Sequence, residues 1–190
     1  MGPETQVARM RRGDPAAFEE LLAQYQHRLY RYLMRVARDP ALADDLFQQT
    51  WLRVVEKIKQ YDQRRNFDAW LFSVARNLAI DYFRRYRPES LDEPLPGEDS
   101  GATRETLLPA AGPSVLERLL AREQSEQLAV AMSRLAWNYR EVLTLRFEEE
   151  MKLEEIAEAI DVPLSTAKTR LRRGLEQLRN ILMAQAEVCQ

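Results

Sequence analysis

Apolar positions recur at spacings of three and four along most of the chain, which is the period of amphipathic helices. After a short helix expected near Glu4–Arg12, Gly13 stops the chain and Asp14-Pro15 starts it again, Asp as N-cap and Pro in the first turn. Phe18, Leu21, Leu22, Tyr25, Leu29, Tyr32 and Val36 then form one apolar face. Asp39-Pro40 repeats the start signal. A second stripe follows through Leu42, Leu46, Phe47, Trp51, Val54, Val55 and Ile58. A polar break at Asp62–Asn66 separates it from a third long helix, Phe67–Arg85, with Trp70, Leu71, Val74, Leu78 and Tyr82 on its apolar side. Three such helices can share a core.

Pro88–Pro113 breaks the pattern. It holds Pro88, Pro94, Pro96, Pro109 and Pro113, and it has neither helical nor strand period. Beyond it, helices are expected over Val115–Ala136, with Ser114 as N-cap, then Tyr139–Glu148, Lys152–Ile160 and Leu164–Ala184. The expected fold is all-α: two small helical domains, residues 1–88 and 115–190, joined by a flexible acidic linker, 89–114.

Charge sharpens this division. The net charge of −2 divides into about +5 over residues 1–88, −6 over 89–117 and −1 over 118–190. An acidic total therefore conceals a cationic first segment, and local distribution decides what a surface binds. The lone cysteine, Cys189, cannot close an internal disulfide, and an inert tail residue is the expected role. No apolar run approaches the roughly 20 residues of a membrane helix. No apolar leader opens the chain, so the cytoplasm is the expected location.

The most informative stretch is LEEIAEAIDVPLSTAKTRLRRGL, Leu153–Leu175. Leu153, Ile156, Ala157 and Ile160 line one face of a short helix. Pro163 cannot continue it, and Ser165 or Thr166 can cap the next. The second helix would bury Leu164, Ala167 or the Lys168 stem, Leu171, Leu175, Leu178 and Leu182. It would show Ser165, Thr166, Thr169, Arg170, Arg172 and Arg173 on the other side. A helix-turn-helix inserts its second helix in the major groove, where hydroxyls and cations meet phosphates and base edges. Asp161 stands where a turn of this type favours Gly, because positive φ is needed; Asp tolerates that region better than most residues.

These blocks resemble the sigma factors of bacterial RNA polymerase, specifically the extracytoplasmic-function (ECF) group. GDPAAFEELLAQYQHRLYRYL is similar to that group's first helix and ALADDLFQQTWLRVV to its polymerase-docking helix. NFDAWLFSVARNLAIDYFRR is similar to the promoter-opening helix. YREVLTLRFEEEMKLEEIAEAIDVPLSTAKTRLRRGLEQLR is similar to the C-terminal helix-turn-helix. The resemblance implies a factor that binds core RNA polymerase and directs promoter recognition and melting, with no catalysis and no cofactor. Asp44, Asp45, Gln48 and Gln49 would face the polymerase clamp, although the group usually carries an acid at the position of Gln49. Tyr61, Arg64, Arg65, Arg76, Asn77, Arg84 and Arg85 would hold the single-stranded minus-ten element, Asn77 reading a flipped base with its donor and acceptor. Ser165, Thr166, Lys168, Thr169, Arg172 and Arg173 would contact the minus-thirty-five duplex. The linker's acidity would suit a basic channel of the polymerase. The implied partners are core polymerase, promoter DNA and an anti-sigma protein, without direct membrane insertion.

From the residues alone, a helix-turn-helix regulator that does not engage polymerase stays open as the alternative. It leaves the NFDAWLFSVARN block unexplained. An enzyme is disfavoured: His27 is the only histidine, and no Gly-rich phosphate loop, nucleophile motif or metal-ligand spacing is present.

Overall fold

In the computed structural model, which describes residues 3–86 and 125–188, every regular element is a helix. The linker, Ser114, the start of the helix expected from Val115 and Cys189 lie outside the described residues.

The first half contains α1 (Pro3–Arg11), α2 (Pro15–Ala37), α3 (Pro40–Lys57) and α4 (Phe67–Tyr86). Asp14 and Asp39 cap α2 and α3 as expected: their carboxylates accept from the amides of Ala16 at 3.0 Å and Ala41 at 2.9 Å. Each satisfies a donor that a helix start leaves free. α3 tightens into one 3-10 turn, Ile58–Gln60. Inside the polar break, Asn66 caps α4, its side-chain oxygen accepting from the Ala69 amide at 3.0 Å. Leu21, Tyr25, Leu29, Tyr32 and Leu33 of α2 meet Leu46 and Val54 of α3 and Leu71 and Phe72 of α4 in one buried cluster. Tyr32 and Phe72 pack edge to face, centroids 5.1 Å apart, a favoured arrangement for ring quadrupoles.

Three stripe positions differ from the sequence pattern. Val55 is 50% exposed and Tyr82 is 36% exposed. A helix that touches neighbours on one side buries a sector, and these two residues fall outside it. Phe72 and Phe83 fill the core from α4 instead. Leu175 in the last helix is likewise exposed.

The second half contains α5 (residues 125–133), α6 (Trp137–Leu143), a π-helical turn (Thr144–Glu148), α7 (Leu153–Ala159) and α8 (Leu164–Val188). The helix expected from Tyr139 thus begins earlier and widens at its end. α7, the turn and α8 form the helix-turn-helix. Asp161 has φ 52°, the left-handed conformation expected at that position. Pro163 precedes the first residue of α8, and its carbonyl accepts from the amides of Thr166 at 2.9 Å and Ala167 at 3.1 Å. Ser165 and Thr166 therefore lie inside the first turn and do not cap it. Gly174 lets α8 lie directly on α6: a Cβ there would sit 3.3 Å from the Tyr139 Cβ.

The two halves are packed together. Trp137, Val142, Leu145, Met151, Ile156 and Ile160 belong to the same buried cluster as the core of α1–α4. Phe83 and Trp137 meet edge to face across this seam at 5.4 Å.

Candidate DNA and polymerase surfaces

Two neighbouring turns of α3 carry one exposed face. Asp44, Asp45, Gln48 and Gln49 are all exposed, as a face open to a partner requires. The Asp44 carboxylate faces the Tyr30 phenol of α2 and raises its pKa. Beyond them on the same helix stand Leu52, 65% exposed, and Val55. Sequence reading missed this apolar extension. The signal was present, because a stripe that includes both Val54 and Val55 is wider than one contact face. Large apolar side chains beside a polar patch are what a protein-docking surface presents.

The strand-binding candidates divide. Asn77 is exposed on α4, with Arg84 and Arg85 on the following turns. Arg84 pairs with Asp81 at 3.0 Å. Arg64 is exposed, and its amide bonds the Asp62 carboxylate at 3.0 Å. Tyr61 is a correction. It is only 4% exposed, its ring packs against Phe67 and Trp70, and its hydroxyl donates to the Arg65 carbonyl. Burial pushes its phenol up to about 12. A ring in that position fixes the loop and offers no face to a base. Arg65 and Arg76 are both taken by the second half. Arg65 pairs with Glu158, while Arg76 pairs with Glu141 at 3.0 Å.

On the helix-turn-helix, Ser165, Lys168, Thr169, Arg172 and Arg173 are exposed and Thr166 is half-buried. Ser165, Thr166, Thr169 and Arg173 line an open cleft with Asn138, Tyr139 and Arg170, about 280 Å³ in volume. Arg172 leans away from it to Glu176 at 2.8 Å. Asn138 and Tyr139 of α6 were not anticipated; they are far from α8 in sequence and carry no periodic signal. The cleft offers hydroxyls, an amide and two guanidinium groups, which suit a phosphate or a base edge.

Between the halves lies a seam of ion pairs. Glu141 is 1% exposed; Tyr32 and Arg76 both donate to its Oε1, at 3.1 Å and 3.0 Å. Burial raises its pKa above the ordinary carboxylate range, against the opposing pull of Arg76. The Glu149 side chain is fully buried and pairs with Arg28 at 2.9 Å and Arg31 at 3.3 Å. Burial raises its pKa too. Nearby, burial lowers Arg140 to about 10.

Among the described residues, no group of three or more His, Cys, Asp or Glu can hold a metal ion. No helix among them is long and apolar enough to cross a membrane.

A helical unit with a half-exposed cationic helix, joined to a helix-turn-helix, defines a two-part DNA-binding protein. Comparison narrows the class. Residues 21–89 match the family model for sigma-70 region 2, and residues 125–178 match that for sigma-70 region 4. The ECF RNA polymerase sigma factor SigW of Bacillus subtilis is 30% identical over 177 residues, 93% of this chain and 94% of that protein. RNA polymerase sigma factor CarQ of Myxococcus xanthus is 32% identical over 176 residues, 93% and 95% of the two chains. The chain belongs to the ECF sigma factors of RNA polymerase. Its fold is similar to CnrH in its complex with the cytosolic domain of CnrY (TM-score 0.69, 21% identity, covering 95% of this chain and 97% of that one). It is also similar to the sigma factor RpoE of Bartonella quintana, solved with the anti-sigma factor NepR (TM-score 0.66, 22% identity, covering 87% and 96%).

Proposed function

We propose that this chain binds core RNA polymerase through the exposed face of α3, holds the melted minus-ten strand on α4, and reads the minus-thirty-five duplex with α8. The observation that carries this reading is that one chain exposes two different surfaces whose chemistry suits DNA. An exposed Asn77 amide on α4 suits a flipped base, and Ser165, Thr169 and Arg173 at the start of α8 suit a major groove. Thr166, Lys168 and Arg172 flank that start. Asp44, Asp45, Gln48 and Gln49, with Leu52 and Val55 beside them, form the polymerase face. Arg64, Arg65, Arg76, Arg84 and Arg85 supply cations for the strand backbone. Tyr61 acts by holding the loop that carries Arg64 and Arg65. Residues 1–88 and 115–190 are the two functional domains, and 89–114 their tether.

The factor acts without catalysis: binding energy for unpaired bases offsets lost pairing and stacking, a few kcal/mol per extruded base. It works in the cytoplasm, where the polymerase and promoter are, and an anti-sigma protein restrains it.

The test is co-elution of the purified chain with sigma-free core polymerase, followed by transcription from genomic fragments. Specific starts downstream of a shared two-part sequence are expected. Asn77→Ala should weaken promoter opening and leave co-elution intact, and Arg173→Ala should weaken duplex binding alone. A folded chain that neither co-elutes nor starts transcripts would leave a helix-turn-helix regulator as the function.

A further inference from the structure

Arg28, Arg31 and Arg35 occupy positions i, i+3 and i+7 of α2 and so lie in one row along it. In the row, Arg28 has one first-half partner, Asp68 at 3.0 Å. The second half answers the rest: Glu149 meets Arg28 and Arg31, and Glu148 meets Arg35 at 3.1 Å. Glu141 bridges from Tyr32, on the same stretch of α2, to Arg76 on α4. Arg76 is the direct neighbour of exposed Asn77. Glu141 therefore links the row on α2 to Arg76 on α4, one position before the amide proposed to read a base.

Two physical points identify what this face is built to hold. Guanidinium groups in a row favour oxyanions that accept paired hydrogen bonds, carboxylate or phosphate, over other partners. The carboxylates now on it are a poor choice for stability alone, since burying Glu141 and Glu149 costs much of what their pairing returns. The seam has an apolar part, Phe83 on Trp137, that serves adhesion.

We propose that Arg28, Arg31, Arg35 and Arg76 form a backbone-phosphate surface for the single-stranded promoter, which Glu141, Glu148 and Glu149 occupy in competition with the strand. This rests on the sigma-factor reading and extends it to α2. The consequence is asymmetric. With the halves together, Lys168, Thr169 and Arg173 on α8 stay exposed, so the chain engages duplex. The strand is held only once the halves part.

The test uses the full chain and a fluorescent single-stranded oligothymidine of about 20 nucleotides, with binding followed by anisotropy across a salt series. Glu148→Ala/Glu149→Ala should bind about tenfold tighter than wild type, with a steeper salt dependence. Adding Arg31→Gln/Arg35→Gln should abolish the gain and reduce the log–log salt slope by about 1.4, roughly 0.7 per lost phosphate contact. Unchanged affinity in the acid-deleted chain overturns the proposal. So does a gain that survives loss of the arginines. Because the alanine pair can loosen the second half, Arg31→Gln/Arg35→Gln is also tested alone in the polymerase holoenzyme. Promoter opening should then fail at lower salt while co-elution with core is unchanged; equal salt resistance overturns the proposal. A wild-type chain that does not co-elute with core polymerase defeats the sigma-factor reading and leaves the oligothymidine result standing.

Discussion

The two halves look alike in sequence, each a run of amphipathic helices, but they are stabilised differently. The first encloses its own core, in which Leu21, Tyr25, Leu29, Tyr32, Leu46 and Leu71 are all at most 1% exposed. The second keeps one small cluster to itself, Met132, Leu135 and Leu143. Its other large apolar groups are continuous with the core of the first half. A short helix-turn-helix has little interior to bury, and small units gain stability by leaning on a neighbour. The difference teaches that amphipathic period predicts which residues are buried without revealing whose core they join.

The strongest way to break the comparison is to make a cavity in each core. Leu29→Ala should cost about 2–5 kcal/mol, as large-to-small changes in closed cores do. Hydrogen exchange should show both halves losing protection together, because the second rests on the first. Leu135→Ala should expose the amides of α5, α6 and α8 while α2–α4 keep their protection. Equal loss in both halves from Leu135→Ala would show one cooperative unit and end the distinction.

A smaller effect is expected at the contact that belongs to the second half alone. Gly174 sits where a Cβ would press on Tyr139 and Leu143, at 3.3 Å and 3.4 Å. Gly174→Ala trades a better helix former for this crowding, so the α8–α6 contact decides the sign. Gly174→Val removes the ambiguity, and about 1–3 kcal/mol of destabilisation is expected from overpacking. Urea midpoints of the two variants measure it. If Val is tolerated without loss, α8 is not clamped on α6 and the second half has even less structure of its own.

Much of this architecture was legible in particular residues. Asp14-Pro15 and Asp39-Pro40 announce helix starts because a carboxylate beside a fixed φ satisfies the first free amides. Asp161 announced the left-handed turn, and Asp44, Asp45, Gln48 and Gln49 the exposed face of α3. What was not legible depends on partners distant in sequence. Tyr61 reads as a stacking ring until Phe67 and Trp70 are seen around it. Arg28, Arg31 and Arg35 read as an ordinary solvated helix face, since no periodic signal ties them to Glu148 and Glu149 more than 110 residues away. The π-helical turn that delivers those acids has no composition mark either.

The finest test of the comparison lies in the seam, at Glu141, where the second half meets the first through a buried charge. Its folded pKa is raised, with burial the largest cause. The sign follows from proton linkage: the folded chain then holds this proton more tightly than the unfolded chain. The penalty of the buried carboxylate is therefore fully present above the folded pKa and is relieved as pH falls through it. Glu141→Gln keeps an oxygen for both Tyr32 and Arg76, and Oε2, which the new amide nitrogen replaces, has no hydrogen-bond partner now. At pH 8 the variant should be the more stable of the two, because its amide carries no charge to desolvate and burial is the larger influence on Glu141. The gap should narrow as pH falls through the raised folded pKa, where the wild-type carboxyl takes up its proton. Urea midpoints at pH 8 and along an acid series check both signs. A variant clearly less stable at pH 8 would mean that the Arg76 pair outweighs burial and that charge helps to hold the halves together. A gap that does not change along the acid series would place the effect in packing rather than in ionisation.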